Sequence, residues 1–313
     1  QKATLRHDYS GIRWNIRTVF DATNVNQETA GFIRGYKAYN DSHLKNSNPN
    51  PEAYRDAWSA RFYSSASLSL DDNNTLTITP YLRANDMTFL QHFLPWQPVE
   101  ENDHSSVGLR TALHTDAGIW RWSNGIDMEY TDANLKETQD KDFSPNQPAG
   151  VHYDYQVDAT VAAAYSQVRI GGDSPWEFSG GARLEYTEYD YDNQAADGAP
   201  CGPDASNCRF YRPADRDDDF TDWSLNAGAS YSFSEQHLAY LRLARGFRAP
   251  QATELYRLQS GQETADLDSE EIDNIELGLR GYWHSRVRYD VAVYYMEKDE
   301  VIFQDANRQN ISG

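Results

Sequence analysis

Apolar and polar side chains alternate along much of this chain. In residues 56–70 the apolar positions share one parity, and the polar positions, mostly Ser and Arg, share the other. A period of two is the pattern of a half-buried β-strand. Four turn-forming residues follow at 71–74, and the alternation then resumes through residues 75–85. The pattern predicts a β-hairpin, with a bulge or local irregularity where Pro80 cannot donate a ladder hydrogen bond.

The same unit recurs from the beginning of the sequence to beyond residue 290 and predicts about twelve strands. One face of each predicted strand is apolar, whereas the other carries charged, Ser and Thr side chains. In the strand that begins near residue 153, we assign Tyr153, Val157, Val161 and Tyr165 to the apolar face. Aromatic residues repeatedly close the strands, which is typical of interfacial girdles in a membrane barrel.

Short and long connections alternate along the chain. The short turns lie near residues 9–11, 71–74, 115–118, 170–174, 234–236 and 284–286. The long polar segments lie near residues 25–55, 89–104, 132–150, 191–219 and 248–270. This asymmetry is typical of outer-membrane β-barrels, which have short periplasmic turns and long extracellular loops. The alternative is a soluble all-β sandwich or propeller, whose apolar strand faces would turn inward.

Composition narrows the functional classes. Apolar residues including Tyr make up 39% of the chain, and the net charge is −20. The charge argues against a nucleic-acid partner, because binding to phosphates requires clustered cations. No apolar run reaches the length of a transmembrane helix, but a strand of about 9–11 residues suffices to cross a bilayer. The sequence contains no G-x-S-x-G, H-E-x-x-H, P-loop or G-x-G-x-x-G motif, so we expect neither an enzyme nor a cofactor-binding protein.

Two motifs near the C-terminal end of the chain carry a family resemblance. The first reads ARGFRAP at residues 244–250 and is followed by ELY at residues 254–256. The second reads NIELGLRG at residues 274–281. Together they resemble the barrel domain of TonB-dependent outer-membrane receptors. The Leu-x-Pro-Glu turn that is usual between these motifs is replaced by LDSEE at residues 267–271.

The resemblance implies an all-β, antiparallel transmembrane barrel of 22 strands with a plug domain in its lumen, through which TonB would act. It also implies location in the outer membrane of a Gram-negative bacterium, with lipid around the barrel. We expect residues 1–313 to form a partial barrel domain, about twelve strands of the whole. The chain begins at Gln1, and neither a plug domain, nor a TonB box, nor a closing C-terminal strand is recognisable in it.

Both cysteines of the chain, Cys201 and Cys208, lie in the long predicted loop near residues 191–219, and we expect them to form a disulfide. The alternative is a two-thiolate metal site, which lacks a nearby His. The same segment contains Asp side chains that could bind Ca²⁺, with a solvated acidic loop as the favoured interpretation. These residues are Asp190, Asp192, Asp197, Asp204, Asp215, Asp217, Asp218 and Asp219. We therefore predict no metal site.

Two groups of side chains are candidates for substrate binding. An aromatic and His cluster could stack on a flat chelate, or could simply pack against its own loop. The group consists of Phe89, His92, Phe93, Trp96 and His104, and the first four are the predicted binding residues. Arginines on or just beyond the polar strand faces could bind an anionic chelate, or could pair with carboxylates of the barrel or plug. Those included as candidates are Arg183, Arg242, Arg245 and Arg248.

The function implied by the resemblance is TonB-coupled uptake of a scarce chelate. We expect a ferric siderophore, with cobalamin or another TonB-dependent substrate as an alternative. Two further alternatives are a passive porin-like channel and a structural or adhesive barrel. An outer-membrane phospholipase or protease is disfavoured, because three of the eight His residues lie beside predicted periplasmic turns, away from extracellular substrates.

Overall fold

The computed structural model describes residues 1–202, 207–284 and 286–313. Strands dominate it. In chain order they are β1 (Lys2–Ser10), β2 (Trp14–Glu28), β3 (Tyr54–Ser69), β4 (Asn74–Leu90), β5 (Val99–Ala117), β6 (Trp120–Gln139), β7 (Gly150–Ile170), β8 (Trp176–Asn193), β9 (Phe210–Tyr211), β10 (Arg216–Ser234), β11 (His237–Arg248), β12 (Leu258–Gln259), β13 (Glu270–Trp283), β14 (Val287–Asp299), β15 (Ile302–Gln304) and β16 (Asn310–Ser312). The helical elements are α1 (Ala252–Tyr256) and 3₁₀ turns at Ala38–Asn40 and Leu44–Asn46. In the described residues, no helix has the length and apolarity to cross a membrane.

Twelve of the strands form one antiparallel sheet in the order β1-β2-β3-β4-β5-β6-β7-β8-β10-β11-β13-β14. Each strand pairs with the next long strand along the chain, as the hairpin pattern predicts. Within the described ranges, β1 and β14 are the two ends of the sheet and do not pair with each other. The small strands form two separate pairs, β9 with β12 and β15 with β16.

The outer face of the sheet, defined by the row Phe20, Phe62, Leu82, Val107 and Tyr130, is apolar and open. These residues are direct cross-strand partners on β2 to β6, and each is 38–53% exposed. A soluble sandwich would cover such a row with a second layer. The predicted alternation is confirmed, and the soluble alternative is wrong, because the apolar face lies outside.

The inner face of the sheet is polar, and several of its charged side chains form ion pairs. The row next to Phe20, Phe62 and Leu82 points to the inner face. It consists of the cross-strand neighbours Asp21, Arg61 and Arg83. Arg61 lies 3.4 Å from Asp21, and Arg83 forms an ion pair with Glu129 of β6. The second face of the predicted strands is therefore the lining of a polar interior.

One assignment of strand faces was wrong. Tyr153, Val157 and Tyr165 of β7 point to the inner face, because Tyr165 lies opposite Arg183 of β8 and lines a cavity with it. The outer face of β7 instead carries small residues such as Ala162 and Ala164, opposite the exposed Tyr186 and Leu184. Apolar residues occupy one face of β7 in its first half and both faces in its second half, so alternation alone could not decide which face lies outside.

Pro80 interrupts the sheet less than the sequence suggested. The register of β3 with β4 is the same on both sides of Pro80, as the pairs Tyr63–Tyr81 and Ala66–Ile78 show. On the other edge, Pro80 is still opposite Leu109 of β5. The expected irregularity is a gap in the ladder towards β3, without a bulge.

The strands differ in length in a way that defines two ends of the sheet. The connections at one end have two to five residues, whereas β5 to β8 run for 18–21 residues towards the end with long loops. Since about 9–11 residues cross a bilayer, roughly half of each of these strands projects beyond it. The hydrophobic core of the chain lies in this projecting half, which we call the loop end.

Candidate functional site

The segment between β11 and β13 folds inward at the loop end and packs against the inner face of β6 to β8. Its residues Leu255, Tyr256 and Leu258 are at most 1% exposed. The aromatic ring of Tyr256 stacks on that of Tyr191, with centroids 4.3 Å apart, and the hydroxyl of Tyr153 donates to the Leu258 carbonyl at 2.6 Å. This packing explains why β7 is apolar on its inner face.

Local hydrogen bonds define the inward-folded segment. A capping box begins α1: the Gln251 backbone N–H donates to the Glu254 carboxylate at 2.7 Å, and the Gln251 side chain caps the Glu254 backbone. Glu254 also forms an ion pair with Arg248 at 2.8 Å, and Arg248 is 2.8 Å from Glu270 at the start of β13. The end of β11, α1 and the start of β13 are thus tied together through one guanidinium.

Arg257 connects this segment to the sheet through a buried polar network. Its guanidinium forms ion pairs with Glu137 of β6 and, at 2.8 Å, with Glu100 of β5. The Gln91 amide donates to Glu100 at 2.8 Å, and His152 Nδ1 is 2.9 Å from Glu137. Glu137 and His152 are almost completely buried, so the carboxylates depend on these partners for their solvation.

The network keeps its charged groups ionised. Burial by itself would raise the pKa of Glu137, but the His152 hydrogen bond and the Arg257 charge bring it below its ordinary value. Burial alone would lower the pKa of Arg257, and the carboxylates of Glu137 and Glu100 instead hold it above its ordinary value. The segment is therefore held by a buried cation between two carboxylates.

A cavity of about 310 Å³ opens above this network. Its walls combine aromatic, amide and charged side chains. The lining residues are Gln91, Leu94, Trp96, Glu137, Tyr153, Arg209, Phe210, Thr253, Glu254, Arg257, Gln259, Gln304 and Asn310. The Arg209 guanidinium lies 4.5 Å from the centroid of the Trp96 ring, in a cation–π contact. We call this cavity the upper cavity.

Two further cavities lie at the loop end and on the inner face of the sheet. The first, of about 410 Å³, lies beside the upper cavity and is lined by His92, Leu94, Phe32 and Arg34, among others. The second, of about 500 Å³, lies deeper on the inner face of β4 to β10 and includes Arg110, Asp127, Tyr165 and Arg183. The inner wall thus offers polar spaces both at the loop end and further down.

The aromatic candidates from the sequence are brought to the loop end but do not form one cluster. Trp96 lines the upper cavity and contacts Phe143, with ring centroids 6.1 Å apart. His92 lines the neighbouring cavity, and Phe93 is 49% exposed beside it. Phe89 lies on β4, where the Arg55 guanidinium is 5.2 Å from its ring centroid.

The candidate arginines separate into three environments. Arg183 lies on the inner face, 2.7 Å from Asp127 and 2.6 Å from Glu185. Arg242 is also on the inner face, 5.6 Å from the centroid of the Tyr240 ring.

Of the other two candidate arginines, Arg248 forms ion pairs within the inward-folded segment and Arg245 lies on the outer face. Arg248 is occupied by Glu254 and Glu270. Arg245 shares the outer face with Trp223, at 4.5 Å from its ring centroid, and pairs with Glu271. Arg245 therefore does not face the cavities.

Sequence reasoning missed the groups that build the upper cavity. Arg257, Glu137, His152 and Glu100 were not singled out, because they come from separate loops and strands that meet only in the fold. One feature of the sequence could have indicated the site: Tyr153, Tyr155 and Val157 are apolar, although they lie on the inner face in a strand half that projects beyond the membrane. Such a strand half requires a covering segment.

The cysteine loop has the expected bond. Cys201 and Cys208 form a disulfide with Cα atoms 5.6 Å apart. Of the acidic residues nearby, Asp215 accepts from the Asn193 backbone at 2.9 Å and Asp218 from the Tyr256 hydroxyl at 2.7 Å. Asp204 lies outside the described residues. Over the ranges that are described, no three or more His, Cys, Asp or Glu side chains converge to hold a metal ion.

Comparisons with known proteins agree with this architecture. The ferric-catecholate import receptor Fiu from E. coli K12 superposes with a TM-score of 0.67 at 13% identity, covering 99% of this chain and 53% of Fiu. The ferric citrate transporter FecA gives 0.71 at 11% identity, covering 96% and 43%. The copper transporter OprC gives 0.66 at 10% identity, covering 99% and 53%. At these identities the likeness shows the fold alone, and the chain spans about half the length of these structures.

No curated protein sequence matches the chain. A family model described as TonB dependent receptor-like, beta-barrel matches residues 1–313. The twelve-stranded sheet is accordingly part of a larger outer-membrane barrel, and the long connections are its extracellular loops. The chain belongs to the TonB-dependent receptor β-barrel family, located in the outer membrane of Gram-negative bacteria.

Proposed function

We propose that the protein containing this chain is a receptor for TonB-coupled uptake of a metal chelate, with a ferric siderophore as the substrate. Residues 1–313 would be part of its barrel domain, and a plug domain outside this chain would engage TonB. The family is one of transport receptors, and no catalytic step is assigned to the barrel.

The upper cavity is the observation that carries this proposal. It lies at the extracellular end of the inner wall, and its Trp96 and Arg209 pair offers a flat aromatic and cationic surface to a ligand. Binding pockets typically combine such aromatic walls with a few polar groups. The polar cavity around Arg183 lies further along the same inner wall, where a captured chelate would pass once the plug moves.

Uptake of radiolabelled iron tests the proposal. The full-length protein is expressed in a bacterial strain that lacks its own siderophore receptors, with and without TonB, and is supplied with a panel of ferric siderophores. We expect accumulation of at least one complex only when TonB is present. Accumulation that is independent of TonB would contradict the proposal and favour a passive channel.

Two variants connect uptake to the upper cavity. Trp96→Ala and Arg209→Gln are expected to reduce uptake, because each removes one half of the cation–π pair. Arg121→Gln is a matched control, since Arg121 is exposed at a short turn and its nearest carboxylate, Asp116, is 3.8 Å away. Equal uptake by all three variants would exclude the upper cavity from substrate capture.

A further inference from the structure

We propose that the cargo captured by the upper cavity is a neutral or cationic chelate, of the ferric trihydroxamate class, and not an anionic catecholate or citrate complex. This inference rests on the proposed function and names the charge class of its substrate. Four observations on charge and lining carry it.

The formal charges of the residues that line the upper cavity cancel, because Arg209 and Arg257 balance Glu137 and Glu254. Arg257 is shared by Glu137 and Glu100, and Arg248 by Glu254 and Glu270. Each buried or half-buried guanidinium therefore faces two carboxylates. Arg209 is a further cation of the lining, and it lies over an aromatic ring. An anion entering this cavity would gain little Coulomb energy and would approach at least as many carboxylates as guanidinium groups.

Two of the deeper arginines are also compensated, whereas Arg110 and Arg242 lie over the rings of Tyr81 and Tyr240. Arg183 contacts Asp127 and Glu185, and Arg83 contacts Glu129. A polyanionic cargo would have to displace these carboxylates to reach the guanidinium groups. A neutral or cationic cargo would leave these ion pairs intact.

The extracellular half of the sheet carries an acidic ladder on its outer face. Asp132, Asp158, Asp190 and Asp217 are direct cross-strand neighbours on β6, β7, β8 and β10. Residues 188–219 as a whole contain nine acidic and three basic side chains. Such a one-signed field repels approaching anions and attracts cations over distances of about a Debye length, roughly 8–10 Å at physiological salt.

The remaining lining of the cavity suits an uncharged, hydrogen-bonding surface. Gln259, Gln304, Asn310 and Thr253 contribute amide and hydroxyl groups, and Trp96 contributes an aromatic face. The Oε1 atom of Gln259 is buried without a hydrogen-bond partner in the described structure. The amide groups of a ferric trihydroxamate donate and accept hydrogen bonds, and its iron-bound hydroxamate oxygens accept them, so both complement such a lining.

Competition between two ferric complexes tests the inference. The full-length protein is supplied with a ferric linear trihydroxamate, which carries one positive charge, or with a ferric tricatecholate, which carries three negative charges, in strains with and without TonB. We expect TonB-dependent capture of the trihydroxamate to be at least about tenfold faster, because electrostatic steering alone changes association rates by 10–10³. Preferred uptake of the tricatecholate would overturn the inference and leave the proposed function intact.

The same strains separate a failure of the inference from a failure of the function. If neither iron complex enters, the inference is wrong. Cobalamin and copper complexes are then supplied: TonB-dependent uptake of either keeps the receptor function, whereas uptake of none overturns both proposals.

Charge variants examine the electrostatic cause. Asp158→Asn combined with Asp190→Asn removes two charges of the acidic ladder. We expect the double variant to lower the ratio of trihydroxamate uptake to tricatecholate uptake, and we expect this change to be smaller at high salt. Asp173→Asn is a matched control, because Asp173 is exposed in the short β7–β8 turn at the opposite end of the sheet. An unchanged preference in the double variant would show that the acidic ladder does not select the cargo.

Discussion

Replacement of Arg257 by Met should release the inward-folded segment from the wall of the barrel. The guanidinium is shared by Glu137, which is 2% exposed, and Glu100, which is 7% exposed. Methionine preserves most of the side-chain length but leaves two carboxylates in a buried site without their cation. Removing one partner of a buried ion pair typically costs about 3–5 kcal/mol. At about 1.4 kcal/mol per tenfold, segment opening would become at least about a hundred times more frequent.

Hydrogen exchange of the full-length protein in detergent or lipid measures this opening directly. We expect faster exchange in peptides covering residues 249–269 of Arg257→Met, while the sheet below retains its protection. Arg121→Met is the matched control, because its exposed contact with Asp116 contributes little. Adding Glu137→Gln to Arg257→Met should restore part of the protection, since the uncompensated charge is removed. Unchanged exchange in Arg257→Met would refute the view that this cation holds the segment.

Two further predictions concern stability at other positions. Gly278 lies directly opposite Tyr240, whose ring occupies the space that a Cβ at Gly278 would need. Gly278→Ala should therefore lower the free energy of unfolding of the barrel in urea by about 1–3 kcal/mol. Gly202→Ala is the control and should have no effect, because open space surrounds Gly202. Hydrogen bonds from Arg248 and from the Ile302 backbone lower the pKa of Glu270 to about 2. The stability that the ionised Glu270 gives the folded protein is therefore complete above the ordinary pKa near 4.5 and is lost as the pH falls from there towards 2. Glu270→Gln should abolish this loss, and hydrogen exchange near β15 that is equally acid-sensitive in the variant would show that another group is responsible.

The sequence predicts the sheet well where lipid covers one face of a strand and restricts that face to apolar side chains. In β13, Leu277 and Leu279 share one parity and are 47–60% exposed on the outer face. Val293 and Val291 of β14 lie directly opposite them and are 61–75% exposed. A lipid-facing wall admits only apolar side chains on that parity, so the period of two gives both the strand and its orientation. The family motifs lie in this same region, which is why the resemblance and the periodicity agreed.

The candidate site was less predictable for two physical reasons. First, the inward-folded segment covers the inner face of β7 in its extracellular half, so Tyr153 and Val157 are apolar although they lie on the inner face. In the other strands the inner face is polar, and alternation therefore assigned these residues to the wrong face. Second, Arg257 and Glu137 are 120 positions apart and meet only through loop packing. Trp96 was selected as a candidate because an aromatic residue in a polar loop is conspicuous in the sequence, and it lines the upper cavity.

Side-chain environments in neighbouring positions of β13 test the central claim most directly. In the full-length protein with Cys201 and Cys208 replaced by Ser, a spin label is placed at Leu277 or at Glu276, and the protein is reconstituted in lipid vesicles. We predict that the label at Leu277 collides with oxygen dissolved in the bilayer and that the label at Glu276 collides with a water-soluble nickel complex. If both labels were shielded from both reagents, or if the pattern were reversed, the apolar face would not lie against lipid and the receptor account would be contradicted.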